Sequence, residues 1–412
     1  MKSRLLRRAG TALLALTTAA TLGVVGASSA QAEERPPFYE PPATLPAHNG
    51  DLVRSEPSVY YLDPLKALKV DAHVHRVMYR STDGHGEPIA VTGTVITPKG
   101  AWRGPGEERP VIGYAAGTQG LGDHCAPSRQ LANGTEYEGL FVKGLLARGY
   151  AVALTDYEGL GTPGLHTYVN REVSGHAVLD AVRAAQNLPE AGLPDDGPVA
   201  VTGYSQGGGA AAAAAELAPE YAPELDLRGV AAGAVPADLA RVAENLDGSL
   251  YAAFLGYAVA GLAAGYDVDL RPYLNGKGER MMEGVAEACT AEAILRYPFV
   301  RTSTLTEDGR PLTAYLDEEP FREIVAGQRI GTRAPAVPTL VTHSLLDDVI
   351  PYGVGRRMAA GWCAAGAADV TFAANLGPTH VGGAVAAFPR VFGWLEDRFA
   401  GRDASSDCGS LR

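Results

Sequence analysis

Two periodicities share this chain, and the points where one gives way to the other divide it. Residues 74–100, VHRVMYRSTDGHGEPIAVTGTVITPKG, hold two runs of alternating apolar and polar positions around Asp83-Gly84. That pattern predicts an antiparallel hairpin. Beyond it, short β-rich runs alternate with stretches of helical spacing. RPVIGYAAG, AVALTDYEG, PVAVTGYS and LRGVAAGAVPA read as buried strands, and EGLFVKGLLARG, SGHAVLDAVRAAQNL and QGGGAAAAAAEL, lying between them, read as helices. Strands alternating with helices predict an α/β fold, a mainly parallel sheet with helices on both faces.

The alternation stops between Asp238 and Arg333, where the chain is rich in Ala and Leu at helical spacing and has few β-branched runs. It resumes with VPTLVTHSLLDD as a strand, GVGRRMAAGWCAAG as a helix, VTFAANLG as a strand and AVAAFPRVFGWLEDRFAG as a closing helix. The expected organisation is therefore a core in two parts, 33–237 and 334–412, interrupted by a helical cap or lid over 238–333. Inside the insertion, Gly248 to Tyr266 carries no charge. Its Gly and Ala dilute it below what a membrane span of about twenty apolar residues requires, so it reads as a cap helix over an apolar cleft. The segment EERPPFYEPPATLPAHNG ahead of the hairpin is Pro-rich and expected to be irregular.

The first 32 residues have a basic start (Lys2, Arg4, Arg7, Arg8), an apolar middle and a small-residue end, Ala30-Gln31-Ala32. That layout predicts a secretory signal peptide over 1–32, cleaved after Ala32, and a secreted product with no transmembrane anchor in the mature chain. The whole chain has a net charge of −12, and loss of the basic leader makes it more acidic still. An acidic chain lacks the cationic surface that binding to nucleic acid phosphates needs. The four cysteines, Cys125, Cys289, Cys363 and Cys408, are an even number in an exported chain and predict two disulfides, with three pairings open. No C-x-x-C pair or His-rich tract suggests a metal, and no cofactor is expected.

Gly203-Tyr204-Ser205-Gln206-Gly207 sits where a predicted strand meets a small-residue helix. It reads either as a Gly-rich turn or as a nucleophile elbow, the sharp turn that lifts a serine above a sheet. Such a serine needs a base and a group that orients the base, in the chain order Ser, acid, His. Downstream of Ser205 only His343 and His380 remain. His343 falls inside an apolar strand, whereas His380, in GPTHVGG, is expected in a Gly-bounded loop between the last strand and the last helix, where the base belongs. The acid should follow the preceding strand, which offers Asp347 and Asp348; Asp347, directly after the apolar run, is the favoured one. Two backbone N–H groups should bind the oxyanion: that of Gln206, and one from VIGYAAGTQGLGDHCAPS, taken as Gln119 with Thr118 as the alternative. The glycines and alanines of 207–215 would let the helix pack close to the sheet and aim its N-terminus at developing negative charge. Gly159-Leu160-Gly161-Thr162-Pro163-Gly164 matches a dinucleotide-binding pattern, but no helix pattern starts within it and Asp180 falls inside the next helix, so it reads as a loop bordering the cleft.

Taken together, GTQG with CAPS, DYEGLGTPG, GYSQGG, the long insertion, HSLLDDVIPY and GPTH resemble the secretory lipase family of α/β-hydrolases. The resemblance covers most of the chain after the leader. It implies an α/β-hydrolase fold, Asp347 as the family acid and His380 as the base, and Cys125–Cys289 and Cys363–Cys408 as the disulfide pairs. Gln119 departs from the acidic residue found at the aligned position of the fungal lipases. The expected activity is a serine carboxylic ester hydrolase of lipase or esterase type, acting on a small-molecule or lipid ester, with a lipid–water interface as a candidate site of action. Acyl transfer or peptide hydrolysis on the same residues, or a non-catalytic secreted binding protein on a hydrolase scaffold, are the competing expectations.

Overall fold

The computed structural model describes residues 35–411; the expected signal peptide lies outside the described residues. Nine strands form one sheet in the order β1-β2-β3-β5-β4-β6-β7-β8-β9. β1 (Leu52–Pro57), β2 (Ala72–Thr82) and β3 (Pro88–Pro98) are antiparallel, and β3 joins antiparallel to β5 (Ala151–Tyr157). From there β5, β4 (Val111–Ala115), β6 (Val199–Tyr204), β7 (Leu227–Gly233), β8 (Thr339–Ser344) and β9 (Val370–Asn375) run parallel. The predicted hairpin is β2–β3, with Ala72 opposite Pro98 and Thr82 opposite Pro88. β4, β5 and β8 are continuous runs of buried residues because helices cover both faces of the sheet's centre.

The helices alternate with those strands. α1 (Pro127–Asn133) and α2 (Gly139–Ala147) connect β4 to β5, α3 (Arg171–Gln186) leads to β6, and α4 (Gln206–Tyr221) leads to β7. α5 (Leu239–Leu246), α6 (Ala253–Gly265), α7 (Gly276–Ala286), α8 (Thr290–Arg296) and α9 (Phe321–Gly327) fill the stretch between β7 and β8. α10 (Tyr352–Ala364), α11 (Thr379–Phe399) and the short α12 (Cys408–Leu411) complete the chain. α3 and α4 pack together across small side chains: a Cβ on Gly175 would sit 2.8 Å from Leu217 and 3.1 Å from the Ala214 nitrogen. The insertion has a core of its own, in which Tyr257, Met281 and Val285 are buried with Tyr168 and Leu121 of the main body. No helix among the described residues is long and apolar enough to cross a membrane.

Two features differ from the sequence expectation. β1 has no regular alternation in LVRSEP and is held by pairing with β2. His380 lies in the first turn of α11, not in a loop. The glycines that suggested a loop serve close packing inside the helix: a Cβ on Gly383 would lie 2.7 Å from the Tyr204 hydroxyl and 2.8 Å from Ser344 Cβ.

Disulfides join Cys125 to Cys289 and Cys363 to Cys408. The second pins a tail that covers the exposed edge of β9, where Asp407 N–H donates to the Val370 carbonyl at 2.7 Å and its carboxylate accepts the Phe372 N–H at 2.8 Å. With a sequence separation of 45 between the two cysteines, replacing both by serine should cost about 2–4 kcal/mol. Urea unfolding of the double variant measures this, and a loss below about 0.5 kcal/mol would contradict it.

Candidate active site

Ser205 stands between the end of β6 and the start of α4 with φ 62° and ψ −122°, a conformation that L-residues rarely adopt. The turn is tight because glycines surround it. A Cβ on Gly203 would lie 2.3 Å from the Gly207 carbonyl oxygen, and one on Gly207 would lie 2.0 Å from the Ala115 carbonyl oxygen. Any side chain at either position would push α4 away from β4. The Ser205 N–H donates to the Gly233 carbonyl at 3.0 Å, which fixes the turn to the neighbouring strand. Gln206 is the first residue of α4, so its backbone N–H is one of the helix's unpaired donors and sits at the positive end of the helix dipole.

Asp347 and His380 come together from the ends of β8 and β9. The His380 Nδ1 lies 2.8 and 3.0 Å from the two Asp347 oxygens. Asp347 Oδ1 also accepts the Val349 and Ile350 N–H groups at 3.0 and 2.8 Å. Burial acts to raise the Asp347 carboxyl, but the hydrogen bonds from His380, Ile350 and Val349 outweigh it and hold the group below the usual carboxylate range. An ionised Asp347 can only accept, so Nδ1 carries the proton and Nε2 is left bare.

Asp348, the alternative acid, touches the backbone of the same histidine. Its Oδ1 accepts the His380 N–H at 2.8 Å, and its Oδ2 faces the Tyr251 hydroxyl of the insertion at 3.4 Å. Tyr204, next to Ser205, donates its hydroxyl to the His380 carbonyl at 2.9 Å. Ser205 and His380 are thus bound to one frame through Tyr204, although no hydrogen bond joins the Ser205 hydroxyl to the His380 imidazole among the described residues. Such contacts are often long without substrate. His343, in β8, is fully buried with Nε2 3.6 Å from Asp347 Oδ2; its Nε2–H donates to the Ile350 carbonyl at 2.9 Å, and burial lowers its imidazole from the ordinary value.

Gln119 is buried in the segment after β4. Its carbonyl accepts the Thr290 N–H at 2.9 Å, and the Thr290 hydroxyl donates to the Thr118 carbonyl at 2.6 Å. Gly120 pairs with Cys289 as an isolated bridge, beside the Cys125–Cys289 disulfide. The loop is therefore stitched to the insertion along 118–121. His124, Cys125 and Cys289 lie close together, but both sulfurs are committed to the disulfide and leave no thiolate for a metal.

An apolar cavity lined in part by Ser205 and Gln206 extends under α5, α6 and α9. None of its lining side chains is charged.

Several site neighbours escaped the sequence reading. Buried His166 accepts the Gln206 side-chain N–H at Nε2, 2.8 Å, while its Nδ1 lies 2.8 Å from the Glu158 carbonyl. Only the tautomer with the proton on Nδ1 satisfies both bonds. Glu136, Tyr137 and Glu138 also bond the loop 117–119. The Gly-rich motif ending in Gly164 leads directly to His166, and that was the available signal. No helix starts within the motif; α3 begins at Arg171.

A family model described as secretory lipase matches residues 126–407. The chain is 31% identical to a probable inactive lipase of Mycobacterium tuberculosis over 386 residues, 89% of this chain and 82% of that protein. It is 30% identical to a secreted triacylglycerol lipase of Malassezia restricta over 410 residues, 95% of this chain and 84% of the relative. Among solved structures it is similar to Candida antarctica lipase A in its closed state, with TM-score 0.78 and 26% identity over 91% of this chain and 88% of that one. The rice cell wall degrading esterase of Xanthomonas oryzae shares the fold, with TM-score 0.67 and 21% identity over 86% of this chain and 97% of that one.

Burial lowers the His166 imidazole to about 4. The unfolded chain would take up this proton from about pH 6.5 downward, so the histidine's stabilising contribution is complete above that pH. It is lost as pH falls toward 4 and amounts to about 3 kcal/mol. Imidazole ¹⁵N spectra should show His166 neutral, with its proton on Nδ1, from about pH 5 to 8. Titration near the ordinary value of about 6.5 would contradict the burial argument.

Proposed function

Because the chain belongs to the secretory lipase family, we propose that it is a secreted serine carboxylic ester hydrolase acting on acylglycerols or similar lipid esters. Ser205 Oγ attacks the ester carbonyl. His380, through its bare Nε2, takes the hydroxyl proton and returns it to the leaving alcohol. Asp347 holds the imidazole in that tautomer and stabilises the imidazolium. The N–H groups of Gln206 and Gln119 receive the oxyanion. Water, activated by the same His380, then releases the acid from the acyl-enzyme.

The observation that carries this reading is the uncharged cavity at Ser205, because a chain of methylenes gains about 0.8 kcal/mol for each one it buries. The helical insertion over 238–333 serves as the cap of that cavity, and the core consists of the segments on either side. Acyl transfer or peptide hydrolysis would use the same residues with another acceptor or substrate. A binding protein without catalysis, the reading favoured by the relative described as probably inactive, would retain lipid binding without turnover.

Hydrolysis of a 4-nitrophenyl ester series, from acetate to palmitate, tests the proposal. Long-chain esters should be turned over, and Ser205→Ala should lower kcat about 10³-fold or more. Activity limited to the shortest chains would contradict acyl binding in the cavity, and activity surviving Ser205→Ala would remove the serine mechanism. Asp347→Asn should lower kcat by about 10⁴-fold, because an amide can hold the wrong imidazole tautomer. A loss below about tenfold would remove Asp347 from the orienting role.

A further inference from the structure

Three consecutive residues ahead of α2 bond three consecutive residues of the loop after β4, in reverse order. Glu138 Oε2 accepts the Gly117 N–H at 2.6 Å. The Tyr137 hydroxyl donates to the Thr118 carbonyl at 3.2 Å. Glu136 Oε1 accepts the Gln119 side-chain N–H at 3.2 Å and also the Glu138 N–H at 3.0 Å. Gln130 completes the hold on Gln119 by donating to its side-chain carbonyl at 2.7 Å. On the proposed function, this loop supplies one of the two oxyanion donors. We propose that Glu136 and Glu138 are positioning residues that clasp the oxyanion loop, and that the clasp holds only while the pair carries no more than one negative charge.

The clasp is built from groups that burial normally excludes. Glu136 is buried, and its Oε2 has no hydrogen-bond partner among the described residues. The titratable groups acting on the pair are Tyr60, Tyr114, Tyr137, Tyr157 and Asp156, none of them cationic. Glu136 is buried and Glu138 half-buried, and with no cation acting on either among the described residues the two cannot both ionise cheaply. Burial pushes both carboxyls well above the usual range, and the charge of Glu136 pushes Glu138 further. The sign follows from linkage. A carboxyl raised in the folded state contributes stability below its unfolded value and loses it as pH rises through the folded value. The second ionisation on the alkaline side sets like charges against each other directly behind Gly117 and Gln119. The loop then loses its fixed position, and a donor out of place weakens transition-state binding more than substrate binding.

The test is the pH profile of kcat and KM for a 4-nitrophenyl ester with wild type, Glu136→Gln, Glu138→Gln and Glu138→Ala. Amide hydrogen exchange over 116–121 is read on the same proteins. The wild type should lose kcat on an alkaline limb, which each Gln variant removes or displaces by at least about one pH unit, while the acid limb stays in place. Glu138→Ala should lower kcat about tenfold or more with KM within about twofold, and should lose exchange protection over 116–121. An alkaline limb unchanged in both Gln variants, or protection unchanged in Glu138→Ala, overturns the proposal. A wild type without Ser205-dependent turnover overturns the ester-hydrolase reading and the catalytic role of the clasp with it; exchange then reports separately whether the acid pair holds the loop.

Discussion

The approach of the α4 N-terminus to the ends of β4 and β6 is the constraint on which the rest depends. At Gly207 the space left beside the Ala115 carbonyl is too small for even a methyl group. This contact forces the chain to turn at Ser205 with a positive φ, and it points the first amides of α4 toward the loop that follows β4. The same contact brings Tyr204 under His380, so the histidine backbone is held by the residue next to the serine. A methyl at Gly207 would separate all of these groups at once. Strain stored at one serine is tolerated because strands on both sides of β6 and the helix beyond it fix the position.

Around that turn the molecule deals with buried charge in two different ways. Glu216 of α4 is satisfied in full: it pairs with Arg171 and accepts the Trp362 indole N–H and the Gly331 N–H, each at 2.7 Å. It ties α3, α10 and the end of the insertion to the centre of the fold. Among the described residues no cation pairs with Glu136 or Glu138, which hold a loop instead. The loop after β4 is held by these carboxylates, by backbone pairing with 288–290 and by a disulfide. Donors fixed in this way need not reorganise when charge develops, which is the main source of electrostatic stabilisation in enzymes.

The sheet and its helices were legible in the sequence because buried parallel strands leave continuous apolar runs and each run is followed by a helical period. β1 was not, since an edge strand held mainly by backbone pairing leaves no periodic signal in LVRSEP. Asp347 and His380 could be singled out by chain order, and the structure brings them to 2.8 Å. The helical placement of His380 was hidden because Gly382 and Gly383 read as flexible residues, whereas Gly383 is small to admit Tyr204 and Ser344. His166 was marked only by the Gly-rich motif that leads to it, and the Glu136–Glu138 pair was hidden because a Glu-x-Glu pair on a chain with 47 acidic residues carries no local mark until the loop after β4 folds against it.

The central claim is that Ser205 is the nucleophile and the adjoining cavity takes the acyl chain. The most direct measurement is a crystal structure of the protein after reaction with a long-chain alkyl phosphonate ester. The expected adduct has phosphorus on Ser205 Oγ, its anionic oxygen on the Gln206 and Gln119 amides, and the alkyl chain threaded beneath α5 and α6. Phosphorus bound elsewhere, or a chain lying outside the cavity on the surface, would contradict the claim.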